Sequence, residues 1–380
     1  MSLSTINTVP EIEESPTSER PSTLFPKIFK VSDAVEKYKK SKEFESLEEK
    51  IEFHSAVIPL VGTVKLHGAH ADIVIDRNDD IVLQSRNMVG LTMEKDVYDI
   101  AKTLVPLEKR LKALKKRYRE RFRTLNPDVE IDEEYPTIIA GEWIGPGVQK
   151  NVAISKIADR HFVILSVSIN NAWLPDELYA NIDLEAAGIY NISRGGFYHE
   201  ELDLKNIAKS TEILQNHTLE VEKECPFAKT FGISGIGEGI VWKMAHPLGS
   251  DARYWFKTKG PLHAVTMTEK LKKDTSGKKN KLAKANEFAQ AVVTKNRLQQ
   301  GWDYMSEMRI RRDMKGIAVY IKWMWEDVNA EEKEEMERLE VDKDILQKKV
   351  VWLSKEWYLQ KLESPESFAE EMAALKVGKS

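Results

Sequence analysis

Val61 to His70 reads VGTVKLHGAH, an apolar β-like run that carries one lysine, Lys65, and turns at Gly68. Taken alone, a KxxG stretch is equally that of a surface lysine at the end of a strand. The pieces around it extend the pattern. From His54 to Ile75 the chain is rich in β-branched residues, and ADIVIDRNDDIVLQSR continues as a hairpin turning at Asn78 to Asp80, with Arg86 at the end of its second strand. TIIAGEWIGPGVQ runs from a strand into a Gly/Pro turn and contains Glu142; HFVILSVSI, His161 to Ile169, is a further β-prone run. In FGISGIGEGIVWK, period-2 alternation sets Glu238, Ile240 and Trp242 on one face and Val241 and Lys243 on the other. RYWFKTKG repeats the alternation and puts Lys257 and Lys259 on one face.

Composition bounds what these pieces can belong to. With 380 residues, 42% of them apolar and nine Trp, the chain suffices for one large domain and a smaller one. A net charge of -4 argues against wholesale coating of nucleic acid, so any basic surface is local. The single cysteine, Cys225, excludes an intrachain disulfide and a Cys-clustered zinc site. It fits a reducing, intracellular compartment, cytoplasmic or nuclear, and reads as a buried structural thiol. No apolar run approaches the length of a membrane span, and no signal-peptide core is present near the N-terminus. Residues 1–24 are rich in Ser, Thr, Pro and Glu and are expected to form a disordered tail.

Helical spacing governs the remainder. Ile28 to Ile51 reads as one or two amphipathic helices, and residues 94–125 as a helix holding EKRLKALKKRYRERFR, with nine basic residues against two acidic ones. That run is either a solvated face or a contact for RNA phosphates. Asn126 to Pro136 is an acidic loop, and Asn170 to Lys229 reads as loops with at least one helix. Beyond Gly260, residues 268–322 carry fourteen Lys and Arg against six Asp and Glu, whereas 326–344 carry three against ten. Both read as helical. The expected organisation is a tail over 1–24, a mixed domain over 25–260 and a helical domain over 261–380. The basic stretch fits either contact with a phosphate backbone or solvated faces on helices packed against the core.

In order and spacing, Lys65, Arg86, GEWIGPG with Glu142, HFVIL, EGIVWK with Glu238, and KTK at Lys257 and Lys259 resemble the covalent nucleotidyltransferase superfamily. The series is most similar to its ATP-dependent RNA ligases of the second bacteriophage type. The resemblance spans about residues 60 to 260. It implies an α+β fold: a nucleotidyltransferase (ATP-grasp-like) core of mainly antiparallel sheets flanked by helices, followed by the C-terminal helical domain. It implies that Lys65 attacks the α-phosphorus of ATP, that AMP passes to an RNA 5′-phosphate, and that a 3′-hydroxyl then displaces it. A free lysine is neutral in only about one molecule in a thousand at pH 7.4. Apolar flanks (Val61, Val64, Leu66) and neighbouring cations are expected to lower the Lys65 pKa.

By the same resemblance, Lys257 and Lys259 stabilise the α-phosphate and Arg86 contacts the nucleotide or the RNA end. Glu142 holds the ribose, Glu238 helps bind Mg2+ beside the triphosphate, and Lys243, His67 and Gly68 shape the nucleotide site. Val241 forms one wall of an adenine sandwich. The family presents an aromatic and then an acidic residue for the other wall, where this chain has Leu165 and Ser166; either Leu165 or Phe162 takes that place. His70 departs from the asparagine common in phage-type enzymes. A two-histidine metal site lacks a third ligand nearby, and GISGIGEG lacks the GK[ST] ending of a P-loop and enters a strand rather than a helix. A GTP-using capping enzyme or DNA ligase shares the first motifs but continues into a β-barrel after KxK, where this chain reads as helical. A non-enzymatic RNA-binding scaffold would rest on the basic patches alone.

Overall fold

The computed structural model describes residues 23–266, 271 and 280–364; the expected tail lies, but for Thr23 and Leu24, outside the described residues. Two helices, α1 (Val31–Lys39) and α2 (Leu47–Phe53), lead into three strands, β1 (Val57–Lys65), β2 (Ala69–Ile75) and β3 (Ile81–Ser85). The β2–β3 hairpin turns where its sequence implies. Asp79 takes a left-handed φ of 63°, and the Asp76 carboxylate accepts the backbone N–H groups of Asn78 and Asp80, an Asx turn. The basic helix is α4 (Glu108–Leu125), preceded by the short α3 (Ile100–Leu104) rather than running unbroken from residue 94. Next come β4 (Thr137–Ile144), β5 (His161–Ile169), the short β6 (Ala172–Trp173) and β7 (Ile189–Asn191), and β8 (Phe197–Asp203).

β8, FYHEELD, was not expected as a strand. Its alternation is charged because it is an edge strand, paired only with β1 within its sheet. The helices α5 (Ile207–Lys223) and α6 (Pro226–Lys229) precede β9 (Gly239–Met244) and β10 (Trp255–Lys259).

These strands form two sheets. One is antiparallel in the order β10-β9-β1-β8, the other runs β3-β2-β4-β5-β6 with β7 added parallel to β5. In the first sheet, register places Lys259, Gly239 and Lys65 in one cross-strand row, Lys257, Val241 and Thr63 in the next, and Trp255, Lys243 and Val61 in a third. Directly opposite residues share a face. The opposite face carries Ile58, Leu60, Val64, Ile240, Trp242 and Phe256 into a core completed by Leu214 and Val221 of α5. The second sheet buries Ile73, Ile139, Trp143, Phe162, Ile164 and Val167 against Leu111, Leu114, Tyr118 and Phe122 of α4. Between the sheets, Val74, Ile138 and Ala140 meet Trp255, so the lysine-bearing face of the first sheet looks onto the second.

After Lys259 the described residues hold helices: α7 (Lys281–Val292), α8 (Lys295–Glu307), α9 (Ile317–Glu331), α10 (Lys333–Arg338) and α11 (Lys343–Leu362). Of the basic stretch, residues 268–270 and 272–279 lie outside the described part. Among the rest, two arginines are committed internally. Arg297 is fully buried, its guanidinium pairing with Glu332 at 2.8 Å and Asp327 at 3.0 Å and donating to the Val292 carbonyl. Arg309 donates to the main-chain carbonyls of Glu94 and Asp96. The helices are also tied to the sheet domain by Lys30–Glu332, Lys27–Glu331 and the Glu307 carboxylate, which accepts from Ser85 and Asn87.

Removing one partner of a buried ion pair strands the other without solvent. Arg297→Ala is therefore expected to lower the unfolding free energy by about 3 kcal/mol, read from urea unfolding followed by circular dichroism.

Candidate active site at the lysine end of the first sheet

Lys65 is the last residue of β1, in a row with Gly239 and Lys259. Its neighbours Val64 and Leu66 are buried in the core, which pins the strand end, and Lys65 shares the face of Val241 and Lys257 that looks onto the second sheet. There its Nζ lies 2.8 Å from Oε2 of Glu238, and Nζ of Lys259 lies 2.7 Å from the other oxygen. Nδ1 of His67 is 3.2 Å from Oε2. Glu238 directly precedes β9 and does not follow its alternation, so its carboxylate meets the lysine face rather than the Ile240 and Trp242 face expected from spacing. Burial pushes the Glu238 pKa up, but Lys259, Lys65 and His67 together hold it well below the usual carboxylate range.

The same contacts overturn one expectation. Burial acts to lower the Lys65 pKa, yet Glu238 and Glu142 outweigh both it and the nearby Arg86, and the amine titrates above the ordinary lysine value. In this arrangement Lys65 is a held ammonium. Lys257 behaves in the opposite way: burial, reinforced by Lys259 and Lys65 and opposed by Glu331 of α9, pushes it down to about 8.

Glu142 pairs with His70 across β4 and β2 and accepts the Gly68 N–H at 2.7 Å; burial raises its pKa against Lys65 and His70. Gly68 has no room for a side chain, since a Cβ there would meet the Trp143 carbonyl and Glu142 Cγ. His70 is occupied by the fold: its Nε2 lies 2.7 Å from Oδ1 of the buried Asp72, and the Phe25 ring lies over it at 5.0 Å. Arg86 is exposed beyond the end of β3 and donates to the Phe25 carbonyl at 2.9 Å.

Of the two candidates for the second base wall, Phe162 is fully buried on the helix side of the second sheet, beneath Gly141 and in the core with Trp143. It cannot face a ligand in the cleft. Leu165 is half-buried and packs on the side of the first sheet. A β-bulge explains why. Ser166 pairs with Ala140 and Ile164 with Gly141, which leaves Leu165 as the extra residue and turns both Leu165 and Ser166 toward the first sheet. Val241 is half-buried on the lysine face opposite.

Lys243, expected among the nucleotide-binding residues, is committed elsewhere: its Nζ bonds Ser166 Oγ and pairs with Asp176, 3.9 Å from the centre of the Trp255 ring. Spacing shows no sign of Asp176 or Glu331, because each meets the site from a distant part of the chain. Alternation along β2 from His70 would have flagged Asp72.

Among the described residues no group of three or more His, Cys, Asp or Glu side chains could hold a metal ion. An ion here would take most of its ligands from phosphate and water, which is how Mg2+ binds beside nucleotides, and the Glu238 carboxylate is a suitable single protein anchor. No helix among the described residues is long and apolar enough to cross a membrane.

The family model for RNA ligase matches residues 58–259. No curated protein matches. Among solved structures, an RNA ligase of Naegleria gruberi with AMP and manganese is similar at 15% identity and a TM-score of 0.38, over 63% of this chain and 57% of that one. The same enzyme with pyrophosphate gives 15% and 0.37, over 65% and 61%. The chain thus spans less than two thirds of the length of these ligases.

Lys257 supplies a test of the charge crowding. Its folded pKa is below its unfolded value, so between about pH 8 and 10.5 the unfolded chain binds more protons, and this lysine's contribution to stability rises with pH. The wild type should gain on the order of 2 kcal/mol relative to Lys257→Met between pH 7.5 and 10, measured by urea unfolding of both proteins.

Proposed function

We propose that this chain, which belongs to the RNA ligase family over just over half of its 380 residues, is an ATP-dependent RNA ligase that works through a lysyl-AMP at Lys65. The observation that carries the reading is the row Lys65–Gly239–Lys259 closed by the Glu238 carboxylate, with Lys257 one row away. Such a row offers an amine and two further cations to a polyphosphate along one sheet face. The amine attacks the α-phosphorus and pyrophosphate leaves; AMP then passes to an RNA 5′-phosphate, and a 3′-hydroxyl displaces it to seal the strand.

Lys257 and Lys259 meet the charge that gathers on the α-phosphate, and Arg86 meets the nucleotide or the RNA end. Glu142 is the ribose acceptor, His67 and Gly68 shape the phosphate side, and Val241 and Leu165 flank the base. Glu238 would hold the divalent cation, magnesium by its preference for oxygen, which when bound neutralises phosphate charge. A carboxylate so engaged would no longer clamp Lys65, and the charges of Arg86 and of the neighbouring Lys257 and Lys259 would favour the neutral, nucleophilic amine against the pull of Glu142. The helices after Lys259 support a ligase of this kind over a capping enzyme or DNA ligase, which would continue as a barrel.

Incubation with radiolabelled ATP or GTP, followed by a denaturing gel, tests the reading. Label should enter the protein from ATP, only with a divalent cation present, and Lys65→Ala should abolish it; an adduct that persists in Lys65→Ala removes the nucleophile assignment. Arginine at this position should not restore labelling, being always protonated.

Glu238→Ala should slow single-turnover adenylylation by about a hundredfold or more. Asp99→Ala, at a carboxylate paired with Arg160, serves as the control and should leave the rate near wild type. Equal losses in the two variants would count against the role given to Glu238.

A further inference from the structure

Asp176 lies in a short 3-10 turn after β6, outside every motif of the sequence reading, and its carboxylate is almost fully buried. It pairs with Lys243 Nζ at 2.5 Å and accepts from Ser166 Oγ at 2.7 Å, while Lys243 also bonds Ser166. Lys243 belongs to β9 in the first sheet and Ser166 to β5 in the second, so the three residues form a polar tie across the cleft. The tie neighbours, in register and in sequence, the two apolar residues read above as the walls of the base site. Leu165 is the neighbour of Ser166 on the bulge, and Val241 shares the face of Lys243 one row away.

A buried ion pair is a poor source of stability, because desolvation of both charges offsets their attraction, but it holds a definite distance. Four lysines, 65, 243, 257 and 259, crowd one sheet face. Glu238 answers two of them, and Asp176 answers Lys243.

We propose that Asp176 is a positioning residue for the nucleotide base: through Lys243 and Ser166 it sets the separation of Val241 and Leu165 and so the width of the slot that grips adenine. The proposal deepens the ligase reading and rests on it. The geometry also defines how the carboxylate could be relocated. Ser166 Oγ touches both Lys243 and Asp176, so an aspartate at position 166, with the space of Asp176 vacated, would reach Lys243 directly.

The test measures self-adenylylation kinetics in ATP for the full-length wild type, Asp176→Asn, Asp176→Ala and the double variant Ser166→Asp with Asp176→Ala. Radiolabelled ATP binding is measured in parallel by equilibrium dialysis, on the Lys65→Ala background with and without Asp176→Asn. Asp176→Asn should raise the KM for ATP about tenfold, with a smaller fall in the saturated rate, and weaken ATP binding by a similar factor. Pyrophosphate, which has no base, should inhibit with about the same constant in wild type and Asp176→Asn, within about twofold. The double variant should recover most of the affinity that Asp176→Ala loses, an outcome that a generally loosened fold does not produce.

An unchanged KM in Asp176→Asn, an equal loss of pyrophosphate binding, or no recovery in a double variant that melts like the wild type would each overturn the proposal. Should Asp176→Asn fail to fold, recovery in the double variant decides. If the wild type takes no label from ATP while Asp176→Asn still weakens ATP binding, the ligase reading fails and the role of Asp176 stands. If the wild type neither binds nor labels, both fall.

Discussion

The carboxylate of Glu238, buried against Lys65, Lys259 and His67, is the contact on which the rest of the site depends. Several cations on one sheet face repel one another, and burial makes each of them costly. A carboxylate with its two oxygens committed to two lysines removes much of that cost, and it lets β1 and β10 end on either side of β9 with Lys65 and Lys259 converging. The same pairing explains the state of Lys65. An amine clamped by a carboxylate is stored as an ammonium, and burial and the charge of Arg86 are the influences that act the other way.

Around that contact, the two sheets divide the work. The first offers its lysine face to the cleft and its apolar face to α5, so alternation along β1, β9 and β10 separates chemistry from core. The second sheet turns its large aromatics, Trp143 and Phe162, away toward α4 and presents smaller residues to the cleft. Val241 of the first sheet and Leu165 of the second lie on the sides by which the two sheets look onto each other. The helices after Lys259 bring acids to the rim: Glu307 lies between Ser85 and Asn87 beside Arg86, and the charge of Glu331 reaches Lys257. Burial pushes Glu331 up, but Lys257 and Lys27 carry it down to about 2. The helical part is thereby coupled electrostatically to the cations of the cleft, and its arginines Arg297 and Arg309 serve internal ties rather than a free phosphate surface.

Local chemistry made much of this legible. Periodicity alone places Lys65, Val241, Lys257 and Lys259 on strands, and the order of the motifs points to the RNA ligase family that the matched region confirms. The β2–β3 hairpin, β5 and the helical C-terminal part follow from turn residues and spacing of apolar positions, which act over a few residues at a time. β8 was missed because an edge strand facing solvent has no apolar alternation to betray it.

What the sequence by itself determined, then, is the set of strands and the identity of the lysines and glutamates on or beside them, since side-chain alternation is a property of the local backbone. Tertiary structure decided which of these groups meet. A single bulged residue at Leu165 shifts the phase of β5, turning Leu165 and Ser166 to the same side and leaving Phe162 in the core, and a period of two cannot register an insertion in a pairing not yet known. The partners of Lys65 and Lys243, Glu238 and Asp176, lie 173 and 67 residues away in the chain. The net direction of the Lys65 pKa follows from such long-range contacts, because electrostatic energy depends on separation in space and burial rather than on separation in sequence.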